Sequence, residues 1–290
     1  MRAIGALLSG VLAAAALTPA CAADLPLKAP PAVGSCVPAV DGFNGKIGAY
    51  GGSLNSDSLY GGTGSLALPL ACEFGAQIDG NAASFDGRFL GTIAGHLFWR
   101  NPMKGLLGVY GSYTDWDRAG GVRAAHLGAE GEWYFGQWTL QGVAGAEFGN
   151  STSETIGTQI FSYDVKTRFF DQINLAYYVQ DNLKLYAGHR YLYGMHAAAL
   201  GGEWGFPLGH GVMGALFAEG RIGQDDFKGI WGGVRFYFGQ KDKTLIRRHR
   251  EDDPIDWEDG FGIGNTGSTS SVPTTCQPGF ILVNGVCEGL

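Results

Sequence analysis

Charged side chains recur at every second position inside otherwise apolar runs of this sequence, and that spacing puts them on one face of β-strands. In the stretch from Val212 to Gly239, Glu219 and Arg221 share a face of one strand and Arg235 lies on the next. The opposite faces carry apolar residues and glycine. Lipid outside and polar lumen inside is the pattern of a transmembrane barrel strand. The predicted lumen-facing charges are Arg88, His96, His126, Glu130, Glu132, Glu147, Arg190, Glu203, Glu219, Arg221 and Arg235.

Acidic and basic side chains on the inner faces of adjoining strands could serve either of two roles. Buried charges are usually paired, so the set could form an ionic and hydrogen-bonded network that fills the barrel. Alternatively, the same side chains could line a pore and set its selectivity. For any single residue we favour the network.

A lumenal hydrolase would need a serine beside a histidine that an acid or amide orients. The His-x-Ser spacing of outer-membrane lipid hydrolases is absent, since Leu97-Phe98 follows His96 and Leu127-Gly128 follows His126. A serine on another strand could still complete such a site. We nevertheless predict no enzyme, and we predict no catalytic residue, metal ion or cofactor.

The alternating runs predict an all-β fold, an antiparallel up-and-down transmembrane barrel of about twelve strands. Most of the runs reach the nine to eleven residues that a tilted membrane strand needs. An even count leaves both chain ends in the periplasm and places the long loop from Asn150 to Val165 outside. The predicted strands are Phe43–Gly52, Leu59–Pro69, Phe74–Ala82, Asp86–Trp99, Gly105–Asp115, Val122–Tyr134, Trp138–Gly149, Lys166–Val179, Leu183–Tyr193, His196–Phe206, Val212–Gly223 and Lys228–Phe238.

The N-terminus indicates export to the cell outer membrane. A positive Arg2, an apolar run and the small-x-small site Ala20-Cys21-Ala22 predict a signal peptide over residues 1–22. A Pro- and Ala-rich periplasmic linker over residues 23–41 precedes the barrel, residues 42–239. The expected partner of the barrel is outer-membrane lipid. A net charge of −7 argues against nucleic acid as a partner.

Beyond Gly239 the composition changes. Residues 240–259 are dense in charge, and residues 260–275 are rich in Gly, Ser and Thr. We predict a charged, flexible periplasmic tail over residues 240–290. It is either a disordered appendage or a contact to a periplasmic partner or the cell wall. An even number of cysteines in an exported chain favours disulfides, and we predict Cys276–Cys287 and Cys36–Cys72.

Several motifs resemble a group of alphaproteobacterial outer-membrane barrel proteins that has no assigned activity. A looser likeness, in strand pattern, is to the outer-membrane barrels linked to bacterial cellulose synthesis. The resemblance implies a porin-like outer-membrane barrel and carries over no site residues. The motifs are Gly42-Phe43-Asn44-Gly45-Lys46, Ser84-Phe85-Asp86-Gly87-Arg88-Phe89-Leu90-Gly91, Gly95-His96-Leu97-Phe98-Trp99-Arg100, Gly105-Leu106-Leu107-Gly108, Lys166-Thr167-Arg168-Phe169-Phe170-Asp171 and Trp231-Gly232-Gly233-Val234-Arg235-Phe236-Tyr237-Phe238-Gly239.

Three functions follow from these observations. The leading hypothesis is a porin-like channel for small polar solutes, because the lumen is polar and twelve strands are wide enough for a small pore. The second is a structural or envelope-anchoring barrel, or one associated with polysaccharide biosynthesis, with a plugged lumen. The third, which we favour least, is an outer-membrane hydrolase of lipids or glycans.

Overall fold

The structure is a computed structural model that describes residues 36–239, 241–257, 259–272, 280–283 and 286–289. The predicted signal peptide and the linker up to residue 35 lie outside the described residues. Cys276 also lies outside them, so the Cys276–Cys287 disulfide stays a prediction. Among the described residues, no helix is long and apolar enough to cross a bilayer.

Twelve antiparallel strands form a closed barrel, which confirms the predicted fold class and strand count. The last strand pairs with the first, with Phe238 opposite Gly45, and this pairing closes the sheet. The barrel strands are β1 Asn44–Leu54, β2 Asp57–Pro69, β3 Phe74–Phe85, β4 Arg88–Asn101, β5 Gly105–Trp116, β6 Val122–Phe135, β7 Trp138–Gly149, β10 Arg168–Gln180, β11 Leu183–Leu192, β12 Met195–Gly209, β13 Val212–Gly223 and β14 Lys228–Phe238.

The loop between β7 and β10 has secondary structure of its own. It forms a hairpin of β8 (Ser151–Ile156) and β9 (Gln159–Asp164). We call this end of the barrel, where the loops before β2, β4, β6, β10, β12 and β14 lie, the loop rim. The opposite end, where β1 begins and β14 ends, is the terminal rim.

The predicted ends of β3 and β12 need correction, and β3 continues beyond Ala82 to Phe85. The sequence places a turn at residues 207–211, but β12 continues through Pro207 to Gly209. The register between β12 and β13 shifts between Pro207 and Gly209. Proline is tolerated at such an irregularity because its missing N–H is not needed by the ladder there.

The outer face of the barrel is apolar and the inner face is polar. On β4, for example, Ile93 and Leu97 are exposed outward while His96 and Arg100 are buried inside. Aromatic side chains surround the terminal rim, where the ring centroids of Trp138 and Tyr177 lie 4.6 Å apart. An apolar band with aromatic borders is the surface that a lipid bilayer requires.

The chain before β1 is fastened to the terminal rim. Cys36 and Cys72 form the predicted disulfide, with their Cα atoms 6.0 Å apart. Next to it, the Ala39 N–H donates to the carbonyl oxygen of Cys72 at 2.7 Å. Residues 36–41 are therefore held against the turn between β2 and β3.

The C-terminal segment returns into the barrel. After β14 it forms α1 (Leu245–Glu251), a 3₁₀ helix (Asp259–Thr266) and β15 (Gly267–Ser271). The Ile246 N–H donates to Asp181 O at the terminal rim. In contrast, β15 pairs with β9 at the loop rim. We call residues 241–272, with the gap at 258, the tail segment; it runs through the lumen from one rim to the other.

This path corrects the prediction of a flexible tail outside the barrel. Charge and glycine suggest solvent exposure by composition, but a barrel lumen is also polar and charges can pair there. Glycine serves close packing in this setting. A Cβ on Gly260 would lie 3.0 Å from Thr92 Oγ1 and 3.3 Å from Thr114 Cγ2. The residues assigned to a flexible linker therefore include a helix packed against the wall.

The outer band makes a direct prediction about membrane insertion. Replacing Ile93 with Arg near the middle of the band should lower the free energy of unfolding by about 2–4 kcal/mol, because Arg at mid-depth is costly. Urea unfolding in lipid vesicles measures the change. Trp99→Arg, on the same face of β4 near the terminal rim, is the matched control and should cost about 0–1 kcal/mol. Equal costs at both positions would contradict the lipid-facing assignment.

Candidate functional site in the barrel lumen

The lumen wall holds most of the charged residues that the sequence pattern singled out. His96, His126, Glu130, Glu132, Glu147, Arg190, Glu203, Glu219 and Arg221 are buried, and the Arg235 side chain is 12% exposed. Arg88 differs: it lies at the loop rim, half exposed, 3.9 Å from Glu154 of β8. Whether these side chains line a conducting pore stays a prediction.

The acids on the β3–β7 side of the wall pair with side chains of the wall itself, although Glu130 Oε1 is buried with no hydrogen-bond partner among the described residues. The His96 ring lies between Asp79 and Glu130, with each ring nitrogen 2.8 Å from a carboxylate oxygen. Glu132 accepts hydrogen bonds from Tyr134 Oη at 2.8 Å and from Gln141 Nε2 at 3.2 Å. This part of the lumen is the paired network that buried charges favour.

Glu147, also on this side, pairs with two basic side chains of the wall. His126 Nε2 lies 3.2 Å from one of its carboxylate oxygens and Arg168 Nε lies 3.3 Å from the other. The backbone N–H of Tyr193 also donates to this carboxylate at 2.8 Å.

The β10–β14 side is richer in cations. Glu203 pairs with Lys184 at 3.4 Å and with Arg235 at 3.3 Å. Across the same side, Arg221 and Arg190 pair with Glu219 at 2.5 Å and 3.5 Å. Together with Lys46 of β1, these residues make five cations against two carboxylates.

At the terminal rim, α1 seals the lumen. Lys243 bonds to Asp252 and lies 2.9 Å from Asp41 and 3.3 Å from Glu251. Deeper in, Leu245 packs in a buried cluster that includes Met213.

Two further basic residues of α1, His249 and Arg250, are half-buried against the barrel wall. His249 Nδ1 lies 2.8 Å from Tyr178 Oη, and its Nε2 lies 3.1 Å from Tyr237 Oη. Arg250 donates to the carbonyl oxygen of Trp138 at 2.8 Å. The helix is thus held by groups from three different barrel strands.

Two tail carboxylates are bound by the wall. Asp256 pairs with Lys46 and lies 3.7 Å from Arg235 Nη2. Lys46 also donates to the Pro254 carbonyl oxygen at 3.1 Å. We call Lys46 and Arg235 the cationic cradle.

Asp259 is held by neutral donors and a histidine. Its Oδ2 accepts from Tyr110 Oη at 2.6 Å and from Ser112 Oγ at 2.5 Å, and it lies 3.4 Å from His126 Nδ1. Its Oδ1 accepts from Gln172 Nε2. We call these four side chains the Asp259 cradle. Every one of them belongs to β5, β6 or β10.

Aromatic packing completes the occupied lumen. The Phe261 ring lies 4.9 Å from the Trp231 ring, edge to face, and 5.4 Å from the Tyr50 ring. Ile263 is fully buried in the same cluster. Two cavities beside the tail segment have volumes of about 60 and 40 Å³. In this conformation the tail segment fills the lumen as a plug.

Sequence reasoning missed the tail side of the site, Asp256 and Asp259, because it placed the tail outside the barrel. A signal was present: residues 252–272 contain five acids and no Lys, Arg or His. Sequence reasoning also missed Ser112, whose Oγ lies 3.3 Å from His126 Nδ1. Strand pairing brings the two together, since Ser112 lies opposite His126 in the register of β5 and β6.

The burial of Asp253 predicts that docking of the plug depends on pH. Burial raises its pKa to about 7, the carboxylates of Asp252 and Asp256 add to the rise, and Lys46 and Arg100 oppose it. The docked segment therefore holds a proton that an undocked segment releases above about pH 4, so docking weakens as pH rises from about 4 to 7.

We therefore expect Asp253→Asn to dock more firmly than the parent chain at pH 8 and to differ less from it at pH 5. Protease cleavage of the tail segment in detergent or vesicles, at both pH values, measures the difference. Asp226→Asn, at an exposed acid in the loop between β13 and β14, controls for general charge effects. Parallel pH profiles for the parent chain and Asp253→Asn would contradict the assignment.

No protein-family model and no curated protein sequence matches the chain. Among solved structures, an outer-membrane channel from Pseudomonas putida F1 is similar with a TM-score of 0.47 and 13% identity, over 72% of this chain and 98% of that one. The KdgM porin is similar with a TM-score of 0.44 and 7% identity, over 67% and 99%. The translocator domain of the autotransporter NalP from Neisseria meningitidis gives 0.44 and 15%, over 68% and 88%. The similarity is too low to assign a function.

Proposed function

We propose that this protein is an outer-membrane, porin-like channel for small polar solutes whose lumen is closed by its own tail segment. The observation that carries the proposal is the kind of contact that holds the plug. Hydrogen bonds and ion pairs to the tail come from groups all around the wall, including Lys46, Tyr110, Gln172 and Arg235. Water and polar solutes can replace such contacts when the plug leaves. A lumen filled by a continuous apolar core would offer polar solutes no such contacts and would not conduct them.

The energetics allow the plug to move. A buried hydrogen bond to a charged group contributes only about 1.5–3 kcal/mol net, because solvent takes over when the bond breaks. The apolar contacts of Phe261 and Ile263 oppose release, so the closed state is the resting state. A covalently attached plug also returns readily, since it stays at high local concentration.

We further propose the orientation in the membrane. Long loops of outer-membrane barrels face the outside and short turns face the periplasm. The loop rim, with the β8–β9 hairpin, then faces outward and the terminal rim faces the periplasm. On this orientation the N-terminal linker is periplasmic, as predicted. The end of β15 then lies outside the cell. We therefore propose that this part of the tail is external, in place of the predicted contact with a periplasmic partner or the cell wall.

Two other functions remain as alternatives. A permanently plugged barrel with a structural or polysaccharide-associated role is favoured by the extent of the tail contacts and by the motif resemblance to alphaproteobacterial barrels and, more loosely, to those linked to cellulose synthesis. A hydrolase is favoured by the line Ser112–His126–Glu147. However, Ser112 Oγ donates to Asp259 instead of His126, which leaves it without an activating base. We therefore propose a non-enzymatic barrel.

Gating predicts a measurable change in conductance. Replacing Asp259 with Asn removes the charge that four wall groups hold, so the plug should leave more often. We expect the substitution to weaken docking of the plug by about 1.4 kcal/mol, which corresponds to a tenfold change in the open fraction. In planar bilayers the full-length Asp259→Asn variant should therefore open about tenfold more often than the parent chain. Asp226→Asn is the matched control and should behave as the parent. Silence of the parent and of Asp259→Asn at every voltage would favour the permanently plugged barrel.

Threading of the tail predicts which sites are exposed on intact cells. An epitope tag added after Leu290 should bind antibody without permeabilisation, as should a tag between Asp225 and Asp226 at the loop rim. A tag between Gly136 and Gln137, at the terminal rim, should bind only after the outer membrane is permeabilised. A C-terminal tag that behaves like the terminal-rim tag would contradict the threaded path in this orientation.

A further inference from the structure

We infer that the open channel selects small solutes that carry carboxylate groups, and that the carboxylates of the tail segment occupy the places where these solutes bind. The inference rests on the proposed function and names its substrate class. The first observation is the chemistry of the plug. Between residues 252 and 272 the sequence has five acids and no Lys, Arg or His, and the four acids that the structure describes, Asp252, Asp253, Asp256 and Asp259, are buried or half-buried.

The second observation is an asymmetry in how the wall charges are satisfied. The wall acids Asp79, Glu130 and Glu147 have partners on the wall, the histidines and Arg168. Lys46, by contrast, bonds to Asp256 and to the Pro254 carbonyl, both of which belong to the tail. When residues 252–272 leave the lumen, Asp79, Glu130 and Glu147 keep these partners, whereas Lys46 loses its contacts with Pro254 and Asp256. The open lumen therefore gains positive potential.

The third observation is spare donor capacity in the wall. Arg100 is fully buried and donates through Nη1 to the carbonyl oxygens of Ala39 and Asp252. Its Nε and Nη2 are buried with no hydrogen-bond partner among the described residues, and the same holds for Arg235 Nε. A guanidinium group matches a carboxylate through two parallel N–H donors. Unused donors of this kind favour an anion entering from either side of the plug.

The Asp259 cradle defines the shape of the ligand group. Gln172 donates to one oxygen, and Tyr110 and Ser112 donate to the other. This arrangement satisfies both oxygens of a planar carboxylate. The cationic cradle supplies a second carboxylate position at Asp256. A solute with one or two carboxylates can therefore take over the contacts of the plug.

Selection and gating are then coupled. A solute that binds the cradles only when the tail has left them stabilises the open state by mass action, as any ligand does that binds one of two states. Acidic solutes should thus open the channel that they pass through. Neutral and cationic solutes of the same size lack this effect.

The experiment uses the full-length chain in planar bilayers and in proteoliposomes. The probes are succinate, erythritol and putrescine, which have four carbons and differ in charge. The parent chain should open more often in succinate than in erythritol. In the Asp256→Asn, Asp259→Asn double variant, whose plug is weakened, succinate should permeate several-fold faster than putrescine, and the reversal potential in a KCl gradient should show anion preference. Adding Lys46→Gln and Arg235→Gln should reduce that preference, whereas adding Asp226→Asn should leave it unchanged.

The outcomes separate the two proposals. Conductance with anion preference that depends on Lys46 and Arg235 supports the inference. Conductance without anion preference, or with preference for putrescine, overturns the inference and leaves the channel standing. Absence of conductance in every variant overturns the channel itself, provided that a heat-dependent shift on gels shows the barrel to be folded.

Discussion

The structure depends on one constraint: charges enclosed by a barrel need partners that bulk water does not supply there. The apolar outer band gives the barrel its place in lipid and turns the polar side chains inward. Most of the inward charges find partners across the strand ladder, such as His96 with Asp79 and Glu130. Lys46 finds its partners on the tail segment instead. The path of the tail through the lumen follows from that complementarity.

The sheet positions these groups without help from long loops. Register between neighbouring strands sets Ser112 opposite His126 and Glu203 opposite Lys184, so cross-strand pairing already builds much of the site. The tail segment adds the remaining contacts as it crosses from rim to rim. Its pairing with β9 then adds a third strand to the β8–β9 hairpin at the loop rim. The same tail segment therefore contacts both the lumen wall and the loop between β7 and β10.

Much of this arrangement is predictable from sequence because strands repeat with a period of two. That period identifies the twelve barrel strands to within three residues at each end, and it assigns Glu203 and Glu219 to the inner face. It does not reveal the path of the tail. A composition rich in charge and glycine is the same whether the surroundings are water or a polar lumen, so Asp256 and Gly260 look like parts of a solvated linker. Only the positions of Lys46, Arg235 and Thr92 on the wall distinguish a tail packed in the lumen from a solvated linker.

The most direct test of the account is hydrogen–deuterium exchange of the backbone amides of residues 259–271 in the full-length protein in lipid. If the tail segment occupies the lumen, these amides should exchange slowly, with protection that approaches that of the neighbouring barrel strands, and the Asp256→Asn, Asp259→Asn double variant should reduce it. Exchange as fast as that of an unstructured peptide in the parent chain would contradict the account, because the lumen would then not hold its plug.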